Sequence, residues 1–172
     1  MTGFIPELTT RVSVKINTTE LDNAISSIKN DSILSQLGIS EELETVKTKL
    51  NDIKQPFAKA VAKRLQSNQE NIISSKHYIT GMMANSVDIT SDGDEYLVGN
   101  TAMSYDGFPY PLAIEKGRRA VYPVDAKVLR WFDGGSPVFS KRSSAVDADP
   151  FVDPSIDDTL YDIDEIWGGF DI

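Results

Sequence analysis

Residues 40–65 read SEELETVKTKLNDIKQPFAKAVAKRL, and the spacing of apolar side chains in this stretch decides the fold. Leu43, Val46, Leu50, Ile53 and Phe57 alternate steps of three and four, and Val61 and Leu65 continue the stripe. That is the period of one apolar helix face. Ser40 offers an N-cap, and the spacing predicts helix from there to the low seventies. At ~1.5 Å per residue such a helix is on the order of 50 Å long. Pro56 lies inside it and has no N–H for the Asp52 carbonyl, which predicts a kink or a break with Pro56 opening a second helix. The alternation lasts barely two heptads, so packing on a sheet is favoured over a coiled coil. The expected core is Leu50, Ile53, Phe57 and Val61, with Trp131 or Phe132 close to them.

Strands are signalled on both sides of this helix. Residues 11–17, RVSVKIN, alternate polar and apolar as a half-buried strand does. Thr18 or Thr19 then caps a short helix carrying Leu21, Ile25 and Ile28, and a further helical piece with Ile33, Leu34 and Leu37 stops at Gly38. After a helical turn at 80–85, residues 86–90 and 95–100 flank Ser91-Asp92-Gly93-Asp94 as a hairpin. Residues 105–111, YDGFPYP, read as an exposed loop rich in turn formers and aromatics. A short helix from Leu112 to Lys116 ends at Gly117. Residues 128–132 and 137–140 make a second strand pair around Asp133-Gly134-Gly135. The sum is an α+β fold: a long helix packed on an antiparallel sheet of about four strands. Residues 1–150 are read as one domain and residues 151–172 as an acidic C-terminal extension, helical in part.

Charge divides the chain in the same way. Residues 1–142 hold all 17 Lys and Arg and 17 of the 26 Asp and Glu, so the formal net charge of −9 resides wholly in the last thirty residues. Such a segment repels phosphate, and no basic groove for a duplex is visible, which argues against sequence-specific nucleic-acid binding. No apolar run approaches the roughly 20 residues of a membrane-spanning helix, and Met1 to Pro6 lack a signal-peptide pattern. There is no cysteine, hence no disulfide, no thiolate nucleophile and no cysteine-ligated zinc.

Catalytic material is sparse. His77 is the only histidine, so any Ser-His-Asp triad would rest on it, and a surface or capping role is the simpler reading. The acids of 147–158 lack the order of a calcium-binding EF-hand loop, and no phosphate-cradling glycine loop occurs. These features predict no enzyme, no cofactor and no metal. Lys116, Arg118 and Arg119 form the one compact basic cluster, a solvated loop or a contact for an acidic neighbour.

Several motifs recur in an order seen elsewhere. Tyr110-Pro111-Leu112-Ala113-Ile114-Glu115-Lys116-Gly117-Arg118-Arg119 resembles the Tyr-x-x-x-x-Glu-x-Gly-x-Arg signature of phage tail-completion and head–tail joining (neck) proteins. Lys127 to Phe132, then Gly134-Gly135, then Val138 to Arg142 resemble the lysine-led strand, glycine turn and strand with a basic pair that follow it. Pro150-Phe151-Val152-Asp153-Pro154 stands where that family has Pro-Phe-Leu before a terminal helix. Upstream, Thr80 to Ser86 resembles a Thr-Gly-x-Leu-x-x-Ser pattern, with Met83 at the leucine. The resemblance spans roughly residues 40–160. It departs in the link from Ser143 to Asp149, which is acidic here, and in the long acidic tail after Asp158.

The resemblance implies a structural virion protein of a long-tailed bacteriophage, assembled in the host bacterial cytoplasm. In that setting it sits in the neck as a ring around the DNA channel. Its partners would be a head-side connector or head-completion protein and a tail tube or tail terminator, with no membrane involved. The expected partner contacts are Tyr105, Phe108 and Tyr110 in the loop, Lys116, Arg118 and Arg119 in the basic cluster, and Phe151, Ile163 and Trp167 in the C-terminal segment. A small metal-dependent nuclease and a binding module of the host cytoplasm are the rival expectations.

Overall fold

The computed structural model describes residues 10–30, 39–76, 81–104, 107–133 and 136–170. Strand β1 (Thr10–Val14) is followed by helix α1 (Thr19–Lys29) and the long helix α2 (Ile39–Lys76). A 3₁₀ turn at Ala84–Ser86 leads into β2 (Val87–Asp92) and β3 (Glu95–Asn100). Then come α3 (Tyr110–Lys116), β4 (Leu129–Asp133), β5 (Ser136–Ser140), α4 (Val152–Tyr161) and α5 (Ile163–Gly168). The class is α+β, with the long helix against a small antiparallel sheet.

The sheet differs from the expected one. β1, β3 and β2 form three strands in that order, and β4 pairs only with β5 in a separate two-stranded hairpin. Thr10↔Asn100, Val12↔Val98 and Val14↔Tyr96 set one register, and Val87↔Asn100 and Ile89↔Val98 the other. With a side-chain period of two, these put Val12, Val14, Tyr96, Val98, Val87 and Ile89 on one face. That face packs on the second half of α2. Gly93, at φ +59°, makes the tight turn of the β2–β3 hairpin.

Helix α2 runs through Pro56 without a break. Of the kink or break expected there, the break is absent, and Pro56 itself lies on the exposed side. The buried line of α2 is Ala58, Ala62, Leu65, Gln69 and Ile73, steps of three and four that share only Leu65 with the expected stripe. Two alanines let the helix backbone come close to the sheet. Leu50, Ile53, Phe57 and Val61 flank this line and are only half-buried. The first half of α2 is accompanied by α1, where Ile25 is buried. Lys47 there pairs with Asp22 at 3.1 Å and holds its carboxyl below its ordinary range. The expected short helix at Ile33–Leu37, His77 and the side chains of Trp131 and Phe132 lie outside what the structure describes.

The residues set apart as an extension belong to the packed body. Phe151 is completely buried in the main core with Leu65, Ile73, Val87 and Val98. α4 and α5 both pack along α2, and Ser155, Thr159 and Ile166 are buried there. Pro154 falls in the first turn of α4, where its missing N–H costs no helical bond. Part of the acidic charge is neutralised inside the chain. Arg64 of α2 reaches Asp162 at 3.1 Å and Glu165 at 3.3 Å, and Lys76 reaches Asp149 at 3.2 Å.

Candidate interaction surface

Glu115 and Gly117 of the signature stretch meet the start of α4 through short, specific contacts. The Glu115 carboxylate accepts the backbone N–H of Phe151 at 2.8 Å and of Val152 at 3.2 Å. The first N–H groups of a helix have no partner within it, so Glu115 caps α4 from a distant part of the chain, and its charge also suits the positive helix start. Gly117 has φ +70°, and a Cβ there would lie 2.8 Å from the Val146 carbonyl oxygen and 2.9 Å from the Ala148 nitrogen. Only glycine permits residues 146–148 to pass so near. The Asp149 N–H donates to the Ile114 carbonyl at 2.9 Å and completes the junction.

Beyond Gly117 the chain leaves the body as a two-stranded arm. Arg118 and Val146 exchange backbone hydrogen bonds at 2.9 Å each way, and Val121 and Ser143 do so at 3.1 and 2.8 Å. β4 and β5 then extend the arm from Leu129↔Ser140 to Asp133↔Ser136. The hairpin makes its main contacts within itself. Val124 is 93% exposed, Phe139 59% and Tyr122 59%. Between Lys116 and Arg142 the sequence holds seven Lys or Arg and two Asp. Arg130 lies over the Phe139 ring at 5.8 Å, a cation–π pair along the arm.

The expected contact residues separate into several groups. Phe108 is half exposed, in a loop closed by a bond from the Ser104 N–H to the Phe108 carbonyl at 2.9 Å. With Arg118, Val121 and Leu129 it lines an open crevice of about 540 Å³ at the arm's base. Lys116 and Arg119 are exposed. Arg118 is turned inward: one guanidinium nitrogen donates to Ser143 Oγ at 2.7 Å, and Nη1 is buried without a partner among the described residues. Tyr110 packs beside the core, and burial raises its phenol above the ordinary value. Tyr105 lies outside the described residues. Phe151 is not a surface anchor, because the core takes its whole side chain.

Ile163 and Trp167 lie on the acidic C-terminal helices, Ile163 half-buried and Trp167 exposed. Trp167 packs edge-on against Phe57 with ring centroids 5.0 Å apart, and Phe170 does the same at 5.6 Å. Ile163 joins Val12, Phe57, Val61, Ile156 and Leu160 around an apolar crevice of about 240 Å³ between β1, α2 and α4. Leu160 is 60% exposed at its rim and Tyr161 90% exposed beside it. The sequence held no signal for this crevice, because its walls come from four separate elements.

Among the described residues, no group of three or more His, Asp or Glu is placed to hold a metal ion, and no helix is long and apolar enough to cross a membrane. Compared with protein-family models, with curated proteins and with solved structures, the chain matches none of them.

Proposed function

We propose that this protein is a structural component of a long-tailed phage particle, a subunit of the neck that joins the head-side connector to the tail. One observation carries the reading. Three of the motifs that resemble the neck signature, spread from Met83 to Val152, meet in space. Met83 and Phe151 share the core, Glu115 caps the helix that Phe151 begins, and Gly117 admits the returning strand of the arm. A chance run of matching letters has no reason to be joined by hydrogen bonds and close packing.

The geometry also suits an assembly part. A body with its core filled carries one projecting basic arm and one acidic face, each with exposed apolar side chains. Subunits with two unlike faces close into rings when the rotation between neighbours permits. The test is complementation of a phage lacking this gene, with electron microscopy of the lysate. Filled heads lying beside separate tails, restored to joined particles by the wild-type chain, are the expected outcome. Joined particles at normal yield without the gene would overturn the reading, as would magnesium-dependent DNA cleavage by the purified protein.

A further inference from the structure

We infer that the basic arm of one copy docks on the acidic α4–α5 face of a second copy, with apolar arm residues seated at the crevice beside α4. This contact deepens the joining reading by naming the subunit's nearest partner. It takes from that reading only its setting in a particle, since charge and exposure carry the contact itself.

The first argument is that the arm is unfinished as an isolated object. A two-stranded hairpin is marginal in water unless something packs on it. This one makes its main contacts within itself and exposes Val124, Phe139 and Tyr122. Its excess of four positive charges between Arg118 and Arg142 selects an acidic partner.

The second argument is that the same chain carries a surface of the opposite kind. Asp153, Asp157, Asp158 and Asp164 are exposed on α4 and α5, and no Lys or Arg occurs after Arg142. Arg64 takes Asp162 and Glu165, and Lys76 takes Asp149, which leaves the outward acids for a neighbour. The same two helices contribute Ile156, Leu160 and Ile163 to the apolar crevice of about 240 Å³, which Lys15 also lines. Exposed ion pairs contribute little singly, so a stable contact needs apolar anchors, and both faces supply them.

An arm and a face at different places on one chain make a heterologous contact, which propagates from copy to copy. That gives it a sharp signature. Lys127 and Lys141 on the arm, and Asp157 and Asp158 on α4, are exposed, so reversing their charge spares the fold.

Sedimentation of the full-length protein at low salt is expected to show self-association that weakens as salt rises. The variant Lys127→Glu/Lys141→Glu and the variant Asp157→Lys/Asp158→Lys are each expected to be folded monomers. Their equimolar mixture is expected to recover association, because the intact arm of one variant meets the intact face of the other and the reversed arm meets the reversed face. Val124→Ser, which leaves the charges alone, is expected to weaken association as well. Wild-type protein that stays monomeric at low salt overturns the proposal, as do charge-reversed variants that associate like wild type or a mixture that forms nothing. Self-association of the expected pattern in a protein dispensable for particle joining would sink the neck reading and leave this contact standing.

Discussion

Glu115 illustrates how much a single carboxylate can organise. It lies at the end of α3, yet its two bonds go to the backbone of Phe151 and Val152, where the chain enters both the core and α4. Charge-assisted bonds of this kind exceed neutral ones, and loss of a helix cap costs about 1–2 kcal/mol. Glu115→Ala is therefore expected to lower stability by about that amount in urea titration, with Glu115→Gln in between because it keeps one acceptor oxygen. An unchanged midpoint for the alanine variant would mean the cap contributes nothing. Gln69 presents the opposite case. It is completely buried on α2, and neither its amide oxygen nor its nitrogen finds a partner among the described residues. A buried polar group without a bond costs roughly 1–3 kcal/mol, so an apolar side chain of the same shape should do better. Gln69→Met is expected to raise the urea midpoint, and a marked fall would show that the amide has an undetected role. Neither effect could be read from the sequence. The partner of Glu115 is 36 positions away, and Gln69 looks like an ordinary polar helix residue until α2 is placed on the sheet.

At the scale of elements, the long helix, the β2–β3 hairpin and the short helix before Gly117 were legible because each has a local signal. The signals are a three–four stripe, an Asp-Gly turn between short β-like runs, and a glycine stop. What the stripe could not reveal is which of two adjacent faces goes deepest. Ala58 and Ala62 carry little hydrophobic signal, yet both are buried, Ala62 in the core with the sheet's Val14, Val87 and Val98, and bulky Phe57 and Val61 are left half-buried on the flank. The hairpin of β4 and β5 was legible as strands but not as an arm, because alternation says where strands are and nothing about which sheet they join. The position of Phe57 changes its expected energetics. Full burial against a sheet would make Phe57→Ala cost about 3–5 kcal/mol. A half-buried ring held by edge contacts with Trp167 and Phe170 points to about 2–3 kcal/mol, from reduced area burial and two aromatic pairs. A Trp167→Ala change made in the Phe57→Ala background is expected to cost less than in the wild type, and strict additivity would show that the rings are not coupled.

For the whole molecule, the separation that matters runs between body and arm, and no longer at residue 150. The sequence set the C-terminal acids apart because charge alone argues against self-burial. The structure instead anchors that segment through Phe151, Thr159 and Ile166 and neutralises part of it with Arg64 and Lys76. Amphipathic helices can carry charge outward and apolar side chains inward, so net charge was a poor guide to what packs. The arm, by contrast, leaves the body at Gly117 and returns at Val146. Its last tie before the exposed stretch is the paired Val121 and Ser143, with 3.1 and 2.8 Å bonds. Replacing residues 122–142 with Asn-Gly closes that pair as a two-residue hairpin, the turn best matched to strand twist. Because β4 and β5 make their main contacts with each other, the shortened chain is expected to keep its thermal midpoint. The change in stability should stay within about 1 kcal/mol, since shortening a surface loop alters closure entropy only slowly. The same chain is expected to remain monomeric at low salt and to leave heads and tails unjoined in the complementation assay. A large loss of stability would mean that the arm belongs to the core of the fold, and joined particles at normal yield would mean that it is not a docking element.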